Sequence, residues 1–600
     1  MVFLPVSKKD MQERGWEQVD FVLVTGDAYV DHPSFGTAII SRVLERFGYK
    51  VAILAQPDWR STKDFTRFGR PRLGFLINSG NVDSMVNHFS VFKHRRRTDH
   101  YSPGGKAGLR PDRAVIVYSN KAREAYKDVP IIIGGLEASL RRLGHYDYWD
   151  DKVRRSVLLD AKADILIYGM GERAAVEIAE ALDSGIEAKD IGWIRGTCVK
   201  GSVEDADSET IILPSFEEIT DSKRRYGDSF ALQYRNNDAI QGKRLMEPYG
   251  EKLCVVQNVP QPPLEREELD QIYELPYEGE AHPMYEKDGG VPALKEVRFS
   301  LTSSRGCFGG CSFCALTYHQ GRELRSRSIA SLVKEAEALT HRSDFKGYIH
   351  DVGGPTANFR HPACKKQLKA GVCKNKDCLY PKPCGQMEID HSEYLRLLRE
   401  LRDIPGIKKV FIRSGIRYDY VMADKDDSFL RELCHHHVSG TLKVAPEHVS
   451  QHVLKYMRKP GKEVFEDFSR SYRKINEKLG LKQYLIPYLI SSHPGSRLED
   501  AVELALFLKE NHFIPDQVQD FYPTPGTLAT CMYYTEEDPF TGEPVYVAKD
   551  LEEKKMQRAL IHFHKPENRK LVQAALEKAG RKDLIPVLSD HNNKRKGRKR

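Results

Sequence analysis

Short apolar runs alternate with amphipathic stretches over the first 190 residues. Uniformly apolar runs between helical patterns are typical of a buried parallel sheet. Strands are predicted at 21–25, 51–54, 73–78, 114–118, 131–133 and 165–168, and helices at 34–47 and 173–182. We therefore predict a doubly wound, Rossmann-like α/β domain over residues 1–199. Sheets of this kind bind ligands beyond the carboxyl ends of their strands, where Gly26, Gly134 and Gly169 lie.

Residues 200–294 are charged and rich in proline, which predicts a connecting region. From residue 295 to 522 the alternation resumes with a longer period, and it predicts a partial β/α barrel. Its strands are predicted at 297–301, 347–350, 409–412, 440–444, 484–490 and 517–521. Its helices are predicted at 329–341, 392–401, 429–436, 465–479 and 498–510. A mixed segment at 523–590, with helices at 551–562 and 570–578, precedes a basic tail at 591–600.

Composition narrows the class of protein. The 600 residues are 40% hydrophobic and 30% charged, as in ordinary globular proteins, and no window approaches 18 uncharged apolar residues. Six of the eight net positive charges lie in Lys594–Arg600. We predict that this tail is disordered, with weak contact to nucleic acid as the alternative. The first residues do not resemble a secretory signal, so we expect a cytoplasmic protein without membrane contact.

Cysteine is the most informative residue type. Seven of the eleven cysteines lie between residues 307 and 384, and clustered thiols without an export signal indicate metal binding more often than disulfides. Cys307, Cys311 and Cys314 have C-x3-C-x2-C spacing on a glycine-bearing loop after the first barrel strand. Three thiolates can hold an iron–sulfur cubane that leaves one iron open. The alternative is a structural zinc site with His319 as the fourth ligand.

A second cysteine set lies in a lysine- and proline-rich insertion at 361–386. Its members are Cys364, Cys373, Cys378 and Cys384. A loop with so few apolar residues needs another source of folding energy, and a metal can supply it. A four-thiolate zinc site and an auxiliary iron–sulfur cluster both fit, with His361 able to replace one ligand. Free thiols or sporadic disulfides are the alternative.

Several longer motifs carry a family resemblance. They are Gly306-Cys-Phe-Gly-Gly-Cys-Ser-Phe-Cys314, His319-Gln-Gly-Arg322, Ser326-Arg-Ser328, Asp351-Val-Gly-Gly-Pro-Thr-Ala-Asn358, Gly134-Gly-Leu-Glu-Ala-Ser139 and Val444-Ala-Pro-Glu-His448. The chain resembles the uncharacterised YgiQ family of the radical S-adenosylmethionine (radical SAM) superfamily from about residue 15 to 585. The resemblance implies an enzyme, but it implies no substrate.

The resemblance implies a specific chemistry for the first cysteine set. Cys307, Cys311 and Cys314 would hold a 4Fe–4S cluster whose open iron is chelated by S-adenosylmethionine. Reductive cleavage would give methionine and a 5′-deoxyadenosyl radical that abstracts hydrogen from a substrate carbon. The electron would come from a one-electron reductant such as flavodoxin or ferredoxin.

The resemblance also suggests residues that bind S-adenosylmethionine. Gly353 and Gly354 follow the second barrel strand, where superfamily members contact the methionine moiety through the backbone. Pro355-Thr356 stands where a glutamate often follows, so recognition of the amine is expected to differ. Glu447, after the fourth strand, and Arg413 and Ser414, after the third, are further candidates. Ordinary turn glycines and an exposed loop acid are the alternative interpretation.

Some radical SAM enzymes carry a cobalamin-binding Rossmann-like domain at this position. The usual signature is D-x-H-x-x-G, but Asp31-His-Pro-Ser-Phe-Gly36 places histidine directly after aspartate. We therefore do not expect cobalamin. The leading hypothesis is a radical SAM enzyme of unknown substrate, with no catalytic side chain identified. The alternatives are an RNA-modifying radical SAM enzyme and a non-catalytic iron–sulfur protein that binds nucleic acid or senses redox state.

Overall fold

The computed structural model describes residues 3–515 and 518–589. A nine-stranded sheet forms the centre of the first domain, in the spatial order β7-β8-β9-β6-β5-β4-β3-β1-β2. Its strands are β1 (Phe21–Thr25), β2 (Val51–Ala55), β3 (Gly74–Asn78), β4 (Ile131–Ile133), β5 (Ile165–Ile167), β6 (Thr197–Gly201), β7 (Ile211–Ile212), β8 (Leu245–Tyr249) and β9 (Leu253–Gln257). Strands β1 to β5 are mutually parallel and buried, as the apolar runs predicted. β6 joins β5 antiparallel.

The strand predicted at 114–118 is wrong, because Ala114–Ala125 is a helix. Its buried residues are Ala114, Val115, Tyr118, Ser119 and Ala122. This spacing follows one face of a helix, and a short apolar run does not distinguish the two structures. Buried Glu137, from the Gly134–Ser139 motif, accepts a hydrogen bond from the Val115 amide at 3.1 Å and so holds the first turn of this helix.

The segment predicted as a connecting region belongs largely to the first domain. Strands β7, β8 and β9 extend its sheet beyond β6, with β9 antiparallel to both β6 and β8. The pattern was missed because β8 contains both Glu247 and Pro248. Buried Glu247 accepts a hydrogen bond from the Gly144 amide at 2.8 Å, so a charged residue is satisfied inside the sheet.

A second row of parallel strands follows. Its strands are β10 (Ser300–Thr302), β11 (Tyr348–Ile349), β12 (Asp351–Gly353), β13 (Lys409–Val410), β14 (Thr441–Glu447), β15 (Tyr484–Ser491) and β16 (Val518–Asp520). β10 pairs with β12, β11 with β13, β14 with β15 and β15 with β16, all in parallel. A parallel bridge between Ile416 and Val444 links β14 to the segment after β13. The row therefore follows the order of the chain.

Helices separate these strands at nearly the predicted positions. They span Ile329–Thr340, Ser392–Asp403, Ser428–Glu432, Lys462–Leu479 and Leu498–Glu510. The first strand begins at Ser300 instead of residue 297, since Leu294–Val297 is a helical turn. In the first domain, the helices beside the sheet span Gly36–Arg46 and Glu172–Asp183.

The C-terminal segment contacts both parts of the molecule. Helices Leu551–Ile561 and Arg569–Lys578 pack with Leu498–Glu510 around a core of their own. Helix Leu528–Thr535 lies against the first domain, where the rings of Tyr534 and Tyr146 stack at 4.7 Å. No helix within the described residues is long and apolar enough to cross a membrane.

Candidate metal and cofactor site

The three cysteines of the C-x3-C-x2-C motif lie on the loop that follows β10. The Cys307 sulfur is 3.4 Å from the Thr356 hydroxyl and accepts a hydrogen bond from the Gly309 amide at 3.4 Å. The side chains of all three cysteines are partly exposed. Thr356 lies in the Asp351–Asn358 motif, which begins with β12, so the two motifs of the family resemblance meet here.

Arg417 is a component of this site that the sequence did not reveal. Its Nη1 donates to the Cys311 sulfur at 3.5 Å and to the Gly309 carbonyl at 3.3 Å. Its other nitrogens donate to buried Asp419, with Nε to Oδ1 at 2.8 Å. Asn358 accepts from the Arg417 amide at 2.9 Å and fixes the backbone of the arginine. A paired, buried guanidinium therefore faces the cysteine loop.

The electrostatics of the loop fit a metal cluster. Burial raises the pKa of the Cys307 thiol and raises that of Cys314 to about 12, with the nearby cysteines adding to the effect. Metal binding requires thiolates, and a bound cluster would supply the positive charge that stabilises them in this partly buried site. The positive charge of Arg417 opposes the increase in the pKa of Cys307. The donor set therefore fits a cluster held by three cysteines.

Among the described residues, neither the loop cysteines nor the insertion cysteines form a group that could hold a single metal ion such as zinc. Within residues 3–515 and 518–589, no three cysteine, histidine or acidic side chains meet at the spacing that one metal ion requires. A cubane separates its thiolate ligands more widely than a single ion does. His319, the proposed fourth zinc ligand, is partly exposed and lines the large cavity between the two strand systems instead.

Close packing explains two glycines of the loop. Gly306 has φ +78°, and a Cβ at this position would overlap the Glu323 carbonyl. At Gly309 a Cβ would lie 2.5 Å from Arg417 Nη1 and 3.2 Å from the Cys307 sulfur. The loop therefore wraps tightly around the sulfur atoms only because these positions lack side chains.

The predicted S-adenosylmethionine residues after the second and third strands come together. A Cβ on Gly353 would overlap Ser414, and one on Gly354 would lie 2.6 Å from the Ser304 hydroxyl. Asp351 accepts hydrogen bonds from the backbone amides of Arg413 and Ser414 at 2.8 and 3.0 Å. The Arg413 side chain is exposed, whereas Ser414, Gly353 and Gly354 line a cavity.

That cavity has a volume of about 610 Å³ and lies between the two strand systems. The first domain contributes Asn78, Gly134 and Gly169 from the carboxyl ends of its parallel strands. The second row contributes the glycine pair and Ser414. Open α/β sheets bind ligands at this edge, so the cavity is positioned for a ligand that both domains contact.

Glu447 differs from the exposed loop acid of the alternative interpretation. It is buried at the end of β14 with φ +67°, and its carboxylate lies 3.7 Å from Lys459 Nζ. Burial raises the pKa of this carboxyl, while Lys459 and Arg417 oppose the shift. It does not line the cavity that Gly353 and Ser414 border. Of the S-adenosylmethionine candidates, Gly353, Gly354 and Ser414 line this cavity, whereas Glu447 and Arg413 do not.

Cys378 lies near Cys364 and Cys373, and its carbonyl accepts a hydrogen bond from the Cys384 amide at 2.8 Å. Burial raises the pKa of the Cys378 thiol to about 11, and nearby Cys364 and Cys373 contribute to the increase. At Cys384, a hydrogen bond from the Gln386 amide and the proximity of Lys376 lower the pKa. His361 contacts the peptide oxygens of Pro362 and Asp390 through its two ring nitrogens, which leaves neither turned to a cysteine.

The insertion packs directly on the first cysteine loop. Cys307 and Cys378 border the same small apolar cluster, in which the rings of Phe308 and Phe359 stack at 3.8 Å. Buried Arg322 donates to the carbonyl oxygens of Cys373 at 3.3 Å and Lys376 at 3.1 Å. The backbone of the insertion is therefore fixed to the motif that follows the loop.

The C-terminal segment forms another wall of the site, which the sequence did not indicate. The Ala529 amide donates to the Ser312 carbonyl at 2.9 Å, between the second and third loop cysteines. Thr527 lines a small cavity together with Cys311, Cys314 and Cys373. Residues from the loop, the insertion and the C-terminal segment thus enclose one space. The basic tail lies outside the described residues.

Comparisons with known proteins identify the family of this chain. Family models match as "Radical SAM N-terminal" over residues 3–300, "Radical SAM superfamily" over 301–508 and "Domain of unknown function (DUF3362)" over 516–592. A UPF0313 protein from Clostridium perfringens (strain SM101 / Type A) is 60% identical over 99% of this chain and 91% of its own length. One from Clostridium botulinum (strain Kyoto / Type A2) is 58% identical over 98% and 90%.

Solved structures of radical SAM enzymes are similar over most of the chain. The methyltransferase TsrM from Kitasatospora setae, with cobalamin and a [4Fe-4S] cluster bound, has a TM-score of 0.49 and 13% identity over 93% of this chain and 89% of its own. The cobalamin-dependent enzyme OxsB, with aqua-cobalamin bound, has a TM-score of 0.46 and 12% identity over 95% and 63%.

These structures correct the prediction that cobalamin is not expected, because the similar proteins contain it. The prediction depended on the absent D-x-H-x-x-G signature, which tests only ligation by a lower axial histidine. In this chain Asp31 is paired with Arg42, and His32 Nδ1 accepts from the Ser34 amide at 3.1 Å. The state of these two residues does not decide whether cobalamin binds.

Proposed function

This chain belongs to the UPF0313 protein family and is a radical SAM enzyme of unspecified reaction, and from that premise we propose that Cys307, Cys311 and Cys314 hold a 4Fe–4S cluster that binds S-adenosylmethionine. The observation that carries the proposal is the glycine-lined loop of three thiols facing the buried Arg417–Asp419 pair. The resemblance to the YgiQ family is part of the same proposal. So is the interpretation of the second strand row as a partial (β/α)6 barrel beside a Rossmann-like domain.

When bound, the cluster would supply the electron for reductive cleavage of S-adenosylmethionine. The protein's part is to hold the loop and to place the substrate. Arg417 fixes the loop through the Gly309 carbonyl and donates to the Cys311 sulfur. Hydrogen bonds to ligand sulfurs and positive charge favour the reduced state of an iron–sulfur cluster. We therefore assign to Arg417 the tuning of the reduction potential.

We assign the methionine moiety to the edge formed by Gly353 and Gly354. Asp351 holds the turn before Ser414 through two backbone amides, and that turn faces the glycine pair. The missing side chains leave backbone groups accessible from the cavity. The rest of the cavity, bordered by the strand ends of the first domain, is assigned to the substrate whose carbon loses hydrogen.

We assign the exclusion of water to the insertion and the C-terminal segment, which are additions to the barrel. The insertion covers the loop on the side of Phe308, and the C-terminal segment covers Ser312. A reactive radical requires such enclosure, because water and other molecules would otherwise compete with the substrate. A cytoplasmic location is part of this proposal, since all eleven cysteines are free thiols in the structure.

The test is anaerobic reconstitution with iron and sulfide, followed by incubation with dithionite and S-adenosylmethionine. We expect 5′-deoxyadenosine from the wild-type protein, measured by liquid chromatography. Cys311→Ala should give only background, whereas Cys254→Ala, at a buried position in the first-domain sheet, should retain activity. Equal product from Cys311→Ala, or none from the wild type, would refute the proposed function.

A further inference from the structure

The outer face of the insertion is rich in lysine. Residues 361–386 contain six lysines and one acidic residue, Asp377. Five of the six are exposed, and Lys374 is partly exposed. The six, which we call the lysine face, are Lys365, Lys366, Lys369, Lys374, Lys376 and Lys382. The charge of this short segment stands out because the body of the chain is close to neutral.

The positive charge of this face is compensated only in part by nearby acidic residues. In the described part of the chain, Lys365 pairs with Glu388 at 3.6 Å, and no other lysine of the face forms an ion pair. Asp377 is turned toward Arg322 and Arg458, at 3.3 and 3.2 Å, and so does not neutralise the lysines. A group of exposed charges that is compensated only in part attracts partners of opposite sign.

The same segment covers the cysteine loop. A Cβ on Gly310, next to Cys311, would lie 3.2 Å from Asp377. Cys378 and Cys307 border one apolar cluster, and Cys373 shares a small cavity with Cys311 and Cys314. The segment that carries the lysine face therefore packs on the loop of the proposed cluster ligands.

We propose that the lysine face is the docking surface for an acidic one-electron carrier protein that reduces the cluster. The inference rests on the proposed function, since only a redox-active cluster needs such a partner. In the transfer, the carrier loses one electron and the cluster gains it, with no bond made or broken. Electrostatic complementarity would speed encounter and orient the carrier's redox group toward the loop.

The contacts favour a redox partner over a nucleic acid. Proteins that bind single-stranded nucleic acid combine positive charge with exposed aromatic rings for base stacking. The one aromatic residue of the insertion, Tyr380, is only partly exposed. The segment that carries the lysines instead packs on the loop of Cys307 and Cys311, where an electron carrier is needed and a polynucleotide is not.

A charge-reversal pair of variants tests the proposal. Lys366→Glu/Lys369→Glu/Lys382→Glu changes the lysine face, and Lys474→Glu/Lys478→Glu/Lys482→Glu makes the same change at exposed lysines elsewhere. Flavodoxin is the acidic carrier, and dithionite is the small reductant. We expect the first variant to lose at least about tenfold in reduction rate by flavodoxin at low salt, with no change for dithionite. The control should match the wild type.

Binding of oxidised flavodoxin, measured by calorimetry at two salt concentrations, gives a readout independent of activity. Affinity should fall at least about tenfold in the first variant, and wild-type affinity should fall with added salt. Unchanged binding, or equal loss in the control, would overturn the proposal. Loss of poly(U) binding with unchanged flavodoxin binding would also overturn it and assign the face to RNA. Failure of the proposed function is distinguished because dithionite would then give no 5′-deoxyadenosine.

Discussion

The two cysteine-rich regions of this protein touch each other, yet they are built differently. The loop of Cys307–Cys314 follows a strand, and its glycines allow close approach of a buried arginine to sulfur. The insertion of Cys364–Cys384 is held through its backbone, since Arg322 donates to peptide oxygens instead of sulfurs. The comparison indicates different roles for the two arginines. Arg417 acts on a sulfur atom of the loop, whereas Arg322 fixes the backbone of the insertion.

Removing the thiols of each region should have the largest effect on this comparison. Cys307→Ala/Cys311→Ala/Cys314→Ala should abolish the cluster signal that responds to S-adenosylmethionine, because no ligands remain. Cys364→Ala/Cys373→Ala/Cys378→Ala should keep that signal. Electron paramagnetic resonance with iron and zinc analysis of the anaerobic proteins measures both outcomes and reports any second metal. If the insertion variant also loses the signal, the two regions form one site.

The two buried arginines provide the next test. Arg417→Met leaves Asp419 buried without its partner, so we expect a loss of about 3–5 kcal/mol in the free energy of unfolding, measured by urea denaturation of the apoprotein. It should also lower the cluster's reduction potential, since a donor to sulfur is lost. Arg322→Met should destabilise the insertion without moving the potential, because its donors reach two peptide oxygens and the Asp377 carboxylate but no sulfur atom of the loop. A potential shift in Arg322→Met alone would reverse the assignment.

Glycine substitutions in the two cysteine-rich regions should have a smaller effect on stability than the arginine substitutions. Gly309→Ala places a methyl group 2.5 Å from Arg417 Nη1, so either the arginine or the loop must move. We expect a loss of about 1–3 kcal/mol in stability, together with reduced iron content after reconstitution. A Cβ at Gly385 in the insertion would have no atom within 4 Å, so Gly385→Ala should leave stability and iron content unchanged. Equal iron content in the two variants would argue against close packing at the loop.

The sequence predicted what depends on local spacing. The three loop cysteines, the parallel strands β1 to β5 and the glycine pair at 353–354 were recognisable because neighbouring residues in the chain carry the pattern. Arg417 was not, because its contact with Cys311 joins residues 106 positions apart and no local motif marks it. The helix at Ala114–Ala125 was missed because an apolar run of five residues fits either structure.

The outer strands of the first sheet and the covering segments could not be predicted from the sequence either. Strand β8 contains Glu247 and Pro248, which argue against a strand unless a partner for the carboxylate is known. That partner is the Gly144 amide, which lies 103 residues away. The C-terminal segment likewise reaches the site through the Ala529 amide, a contact made by backbone. Backbone contacts of this kind do not require particular side chains, so the sequence does not reveal them.

The alkylation rates of Cys384 and Cys314 in the apoprotein compare the two cysteine-rich regions without a metal, and this is the smallest effect that we expect. The pKa of Cys384 is lowered by the Gln386 amide and Lys376, so a larger share is thiolate at pH 8. The pKa of Cys314 is about 12, so it stays protonated there. We expect iodoacetamide to label Cys384 at least about tenfold faster, with the ratio narrowing as pH rises through the pKa of Cys314. Peptide mass spectrometry measures both rates, and the urea-unfolded protein should show no preference. Similar rates in the folded apoprotein would mean that the loop opens without its metal, and that its burial depends on the cluster rather than on the surrounding fold.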